Sequence, residues 1–301
     1  MPHDCSAVAV DGASLYAAGA FLSAGGTAAL RVAKWNGSQW SALGAGLDGT
    51  VNAVVMHGGA LYAGGEFVAS GAAAVNHVAR WNGTAWVDVG GGIAGPVSHL
   101  VSHRGKLYAG STCGTAACIS AWDGAAWSPI PALTNVGDPA TLTGLGSVDE
   151  DGAGPGEAFL YASGEFVTAG TVAAQRMARW DGVAWTAGGF GSAALDKPAR
   201  AFAAFGVPPV VYAGGDFERV GPNGGTASWY LAGYDDCPTP CYANCDGSTI
   251  APVLNINDYV CFQQRFGAGY PDANCDGSTS IPVLNVNDFI CFMGKFAAGC
   301  E

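Results

Sequence analysis

The chain has 301 residues, and its 12 Lys and Arg against 24 Asp and Glu give a formal net charge of −12. That balance argues against nucleic acid or an anionic membrane as partner and suits calcium or a cationic surface better. No apolar run reaches the ~18 residues of a membrane span, and a chain with 47 Gly and only 12% charged residues fits exposed β-structure.

The start, Met1-Pro-His-Asp-Cys5, lacks the basic residues and apolar core of a secretory leader. Ten cysteines nevertheless point to an oxidising compartment. The expectation is an extracellular protein, secreted or attached to a cell surface, in a mature or partial form whose leader is absent.

From residue 1 to about 236 the chain repeats. The signature Leu-Tyr-Ala-x-Gly-x-Phe begins at Leu15-Tyr16, Leu61-Tyr62, Leu107-Tyr108, Leu160-Tyr161 and Val211-Tyr212, with tyrosine spacings of 46, 46, 53 and 51. A Trp-Asn/Asp-Gly-x-x-Trp element follows at Trp35, Trp81, Trp122 and Trp180, and degenerates to Tyr234-Asp235-Asp236. Such periods mark propellers or solenoids. In the second unit, Val51 to Met56, Leu61 to Phe67, Val78 to Trp81 and Trp86 to Val89 read as strands. Four short strands per unit make one propeller blade. Asn-Gly at the hairpin tip predicts a two-residue turn, which pairs Trp81 with Thr84 and leaves Trp86 on the face that Trp81 occupies. Tryptophans repeated this way read as packing between blades, with a sugar-stacking platform as the alternative. Asn36-Gly-Ser38 and Asn82-Gly-Thr84 are glycosylation sequons on those tips.

The double glycine of Tyr62-Ala-Gly-Gly65 and Tyr212-Ala-Gly-Gly215, with a Trp two strands later, resembles the kelch repeat over most of residues 7 to 235. Ala18-Gly19, Gly110-Ser111 and Ser163-Gly164 depart from the pair. The resemblance implies a kelch-like β-propeller, and the repeat count gives it five blades. Kelch-like propellers include enzymes and interaction scaffolds, so the fold alone does not assign function.

Cys113 and Cys118 bracket a connection shortened from 19 to 14 residues between Tyr and Trp in the third unit, which predicts a local disulfide. Cys5 and Cys237 flank the repeats and are expected to clasp the ring. Glu66, Glu165 and Asp216 stand at equivalent places after the glycines, in turn or inter-blade roles, with a ring of carboxylates binding a cation or sugar as the alternative. His57, His77, His99 and His103 show no ligand motif and read as surface or satisfied core groups. Asp149-Glu150-Asp151 reads as a solvated acidic tip, with a calcium clip as its alternative. No nucleophile, base or carboxylate pair stands out as a catalytic set.

The fifth unit runs from Tyr234 into Cys237-Pro-Thr-Pro-Cys241 and lacks the fourth strand that Trp40, Trp86, Trp127 and Trp185 begin elsewhere. An unpaired outer edge is expected there, open to another chain.

Residues 237–301 form a second domain, in which Ala243 to Phe262 returns thirty residues later as Ala273 to Phe292. Asn and Asp clustered beside a Gly, ahead of an apolar helix, suit a calcium loop, because calcium takes six to eight oxygen ligands. The same residues also make turns and cap helices. The candidate ligands are Asn244, Asp246, Asn255, Asn257 and Asp258 in the first copy, and Asp272, Asn274, Asp276, Asn285, Asn287 and Asp288 in the second. The unit resembles the dockerin family, whose loop reads Asp-x-Asn-x-Asp-Gly and runs into a helix. Tyr242 replaces the first Asp in copy one, so that site is expected to be weaker, and five extra residues lie inside each loop. Cys245 with Cys261 and Cys275 with Cys291 are each sixteen apart, leaving Cys241 and Cys300 for the module's ends. In dockerins the module docks onto a cohesin, and the matching positions here are Ile256, Asn257, Gln263 and Gln264, and Val286, Asn287, Met293 and Gly294.

The sequence therefore predicts a mainly β protein, a five-bladed kelch-like propeller with a small α-helical dockerin-like calcium module. Its expected work is non-enzymatic extracellular attachment or self-assembly into filaments, with itself or a cohesin-like or cell-surface protein as partner. The alternative is a glycan-binding lectin or a polysaccharide-active enzyme anchored by the tail.

Overall fold

The computed structural model describes residues 5–149, 158–187, 195–205, 210–220, 226–227 and 231–234. The chain divides between Asp235 and Asp236, and every described residue belongs to the first unit. All regular structure among the described residues is β.

Each repeat folds into an antiparallel sheet in which every strand returns beside its predecessor. The first sheet contains Cys5–Asp11, Ser14–Gly19, Val32–Trp35 and Trp40–Ala42. The second contains Val51–His57, Ala60–Gly65, Val78–Trp81 and Trp86–Asp88. Val97–His103, Lys106–Cys113, Ala116–Trp122 and Trp127–Pro129 form the third, and Gly144–Val148, Phe159–Ser163, Met177–Trp180 and Trp185–Ala187 the fourth. Among the described residues the fifth has three strands, Ala199–Phe205, Val210–Gly215 and Leu231–Tyr234. The residues expected to lack a fourth strand lie outside the description.

The first strand of each sheet packs against the first strand of the next, from the first sheet through to the fifth. Radial repetition of four-stranded meanders is the β-propeller arrangement. Alternation along these strands assigns their faces. Ala9, Val55, Val101, Gly146 and Ala203 each lie opposite the signature tyrosine of their own sheet. They occupy the face toward the following sheet, and Val8, Val54, Leu100, Leu145 and Phe202 the face toward the preceding one. Val54 and Met56 accordingly join Tyr16 and Ala18 in one apolar cluster, while Ala53 and Val55 join Leu100 and Leu107 in another.

In three of the repeats the second residue of the glycine pair is required by a close backbone approach, whereas the third repeat carries Ser111 there. A Cβ at Gly65 would overlap the Thr50 carbonyl, at Gly164 the Thr141 carbonyl, and at Gly215 the Pro198 carbonyl at 2.6 Å. In each case the link entering the sheet crosses the glycine backbone, which explains why Ser163-Gly164 keeps the second glycine and dispenses with the first.

Four of the repeats also carry a small two-stranded hairpin, such as Ala69–Ser70 with Ala73–Ala74, that the sequence reading did not anticipate. In the third repeat the long strands Lys106–Cys113 and Ala116–Trp122 run on to their tip instead, where Cys113 and Cys118 are disulfide-bonded as expected, with Cα atoms 5.9 Å apart.

Candidate functional site

The hairpin tips differ from the expected two-residue turn. Trp81 lies directly opposite Trp86, as do Trp35 and Trp40, Trp122 and Trp127, and Trp180 and Trp185. The loop is therefore four residues long, and its first side chain explains why. Asn82 Oδ1 accepts from the Thr84 and Ala85 amides at 2.9 and 2.8 Å, with Gly83 at φ 99°. Asp123 and Asp181 do the same, and hydrogen bonds from these amides hold both carboxyls below the usual range. Local side-chain capping wins here over the two-residue turn. Both tryptophans still share a face, with ring centroids 5.3 to 5.5 Å apart.

The second tryptophan of each pair reaches back to the link that precedes its own sheet. Trp86 Nε1 donates to Leu43 O at 3.2 Å, Trp127 Nε1 to Val89 O at 2.7 Å, and Trp185 Nε1 to Pro131 O at 2.7 Å. These rings are packing elements that bolt one sheet to the one before. Trp40, in the first sheet, has no acceptor for Nε1 among the described residues.

Between the sheets, two junctions carry a polar bolt that sequence reasoning missed. His57 Nδ1 lies 2.9 Å from Ser102 Oγ, and His103 Nδ1 lies 2.9 Å from Ser147 Oγ. Each histidine also meets the tyrosine of its own sheet edge-on, His57 with Tyr62 and His103 with Tyr108. The signal was present: His57 and His103 are 46 residues apart, the tyrosine period itself. Burial first and the Arg104 charge second push the His103 imidazole down to about 4. Burial also lowers His57.

The first junction breaks the pattern. Asp11 and Met56 occupy the register positions that His57 and Ser102 hold one junction later. No hydrogen bond bridges them, and a groove of about 470 Å³ opens there, its lining including Asp11, Tyr16, Lys34, Met56, Arg80 and Trp81. Lys34 Nζ rests 5.6 Å from the centroid of the Tyr16 ring. Neither cation has an acidic partner among the described residues.

The recurrent acids do not converge. Glu165 pairs with Arg176 at 3.1 Å and Asp216 with Arg200 at 2.6 Å, while Glu66 is exposed. Among the described residues no three His, Cys, Asp or Glu are grouped to hold a metal. The proposed calcium ligands Asn244, Asp246, Asn255, Asn257, Asp258, Asp272, Asn274, Asp276, Asn285, Asn287 and Asp288 all lie outside the described residues, as do Glu150, Asp151 and Cys237. Cys5 is exposed.

The last feature of note lies at the ends of the sheet series. Val8 and Val10 are 60% and 63% exposed, whereas Val54 and Leu100, at the register position of Val8, are 8% and 7% exposed. At the other end Ala201 and Ala203 of the fifth sheet are exposed, on the face that sheets one to four turn toward a neighbour.

No protein-family model and no curated protein matches the chain. Among solved structures it is similar to a chain in the crystal structure of the mitotic checkpoint complex, at 17% identity and TM-score 0.45, covering 72% of this chain and 60% of that one. It is also similar to the computationally designed Ika8 protein, at 13% identity and TM-score 0.41 over 75% of this chain and 70% of the other. The Dos1 propeller matches at 11% identity and TM-score 0.40, over 71% of this chain and 56% of that one. The chain thus spans about three-fifths of the length of the first of these.

Proposed function

We propose that the chain is a secreted, non-enzymatic structural or adhesion protein, a five-repeat kelch-like propeller scaffold that assembles head to tail with further copies of itself. The exposure of Val8 and Val10 carries this reading, because the register position of Val8 is buried at Val54 and Leu100 and half-buried at Leu145 and Phe202, where a preceding sheet covers it. The occupant that suits the face is a second copy's fifth sheet, whose exposed Ala201 and Ala203 stand where Ala9, Val55 and Val101 make the internal junctions. Contact of this kind is heterologous, so it propagates into filaments unless its rotation closes a ring. It lies on a sheet face, not on the outer edge to which the sequence pointed. The dockerin-like tail is proposed to bind calcium through its two Asn/Asp loops and to lock the joint or dock onto a cohesin-like surface protein.

Sedimentation of the full chain with calcium and with chelator tests this. Concentration-dependent growth that Val8→Asp with Val10→Asp abolishes is the expected result. A monomer at high concentration, or growth indifferent to those changes, overturns it. The second reading, a glycan-binding protein, is favoured by the open groove at the first junction.

A further inference from the structure

Resting on the head-to-tail reading above, we infer that Trp40 is the residue that sets the joint between copies: its Nε1–H donates to a main-chain carbonyl of a second copy, at the end of that copy where the fifth sheet lies. Three observations carry this contact.

The first is an unused donor. In three sheets the fourth-strand tryptophan donates to the chain that leaves the preceding sheet, Trp86 to Leu43 O at 3.2 Å, Trp127 to Val89 O at 2.7 Å and Trp185 to Pro131 O at 2.7 Å. Those acceptors follow Trp40, Trp86 and Trp127 by three, three and four residues. Trp40 holds the same register opposite Trp35, with ring centroids 5.5 Å apart. Its Nε1 has no acceptor among the described residues, yet it is not shut away from water. An indole N–H can only donate, and it finds an acceptor when it is covered.

The second is the face around that donor. Register runs Val10, Leu15, Trp35, Trp40 across the first sheet, and Val8, Ala17, Ala33, Ala42 beside it. Apart from the indole nitrogens of the two tryptophans, no polar side chain stands in either row. A sugar laid there would find almost nothing for its hydroxyls. An apolar protein face that offers one carbonyl matches it, and a central tryptophan is the kind of anchor that dominates such contacts.

The third identifies the occupant. Inside the chain, the tyrosine face of one sheet meets the tryptophan face of the next. Tyr16, Tyr62, Tyr108 and Tyr161 are all buried by this contact, whereas Tyr212 of the fifth sheet is half-buried and Ala201 and Ala203 on its face are exposed. One uncovered tryptophan face and one uncovered tyrosine face are the two halves of the chain's own repeated junction, so a second copy supplies what each lacks.

Two blocked forms of the full chain turn the joint into a measurable pair. Val8→Asp with Val10→Asp closes the tryptophan face, and Ala201→Asp with Ala203→Asp closes the tyrosine face. Each form alone should sediment as a monomer, and the mixture should give a 1:1 dimer that grows no further. Adding Trp40→Phe to the second form keeps the aromatic carbon and removes one hydrogen bond, so the dimer should weaken about fivefold. The melting temperature of that form should not change, because the donor is unpaired in the free chain. Trp127→Phe should do the reverse, lowering the melting temperature and leaving the dimer as tight as before. A dimer indifferent to Trp40→Phe, or a melting temperature that falls as far as with Trp127→Phe, overturns the role of Trp40 while self-assembly stands. A mixture that stays monomeric overturns both.

Discussion

The first sheet and the second carry the same repeat, strand for strand, and differ in what covers them. The second is packed on both faces: Val54 and Met56 against the first sheet, Ala53 and Val55 against the third, with Trp86 bolted to Leu43. The first is packed on one. Its Val8 and Val10 face outward and Trp40 Nε1 finds no carbonyl among the described residues, so the same residues that are core in one copy are surface in the other. A repeat therefore encodes half of an interface, and a neighbour decides whether that half becomes core.

The largest effect should break this comparison at the tryptophan. Trp86→Ala removes a ring that is 1% exposed, together with the hydrogen bond to Leu43 O, and should cost about 3 to 5 kcal/mol. Trp40→Ala, its counterpart, should cost under about half as much in the monomer. Denaturant titration of both variants measures the difference, and equal losses would mean that the first sheet's outer face is covered in the free chain.

The histidine bolt comes next. His103 is buried and its imidazole is held down to about 4, whereas an unfolded histidine titrates near 6.5. Between those values the unfolded chain binds more protons than the folded one, so stability is complete above about pH 6.5 and falls as pH drops toward 4. The single group contributes up to about 2 to 3 kcal/mol to that fall. Replacing it as His103→Phe should flatten the melting temperature against pH in this window. The first junction, with Asp11 in the equivalent place, contributes no such histidine dependence. An unaltered slope in the variant would place the titration elsewhere.

How far these features were legible follows from their period. The tyrosine spacing gave the repeat and most strand positions, and the Trp-to-Trp face assignment survived even though the turn did not. The turn failed because Asn82 and its counterparts cap two amides with one oxygen, a side-chain effect that the Asn-Gly dipeptide alone does not reveal. The His–Ser bolts were missed because each pairs residues about 45 apart in different repeats. Their recurrence at the tyrosine period was the available clue. The groove was illegible for the opposite reason: it exists where a pairing fails to recur. The calcium ligands of the tail were read from sequence alone and stand as a proposal.

The smallest expected effect concerns the acids after the glycines, which recur in three repeats and so invite a shared functional role. Arg200 hydrogen-bonds Asp216 and, with a smaller charge effect, holds its carboxyl below the usual range; Glu165 takes Arg176 instead. Both pairs are largely exposed, with side chains between 34% and 64% accessible. Exposed pairs gain little, because water screens the charges and ordering two long side chains costs entropy. Asp216→Asn should therefore barely move the urea midpoint, and that small change should vanish near 1 M salt, where the screening length is about 3 Å. Chemical denaturation by urea at low and high salt reads it. A loss several times larger would show that this acid does more than steady a turn, and would reopen the reading of Glu66, Glu165 and Asp216 as one set.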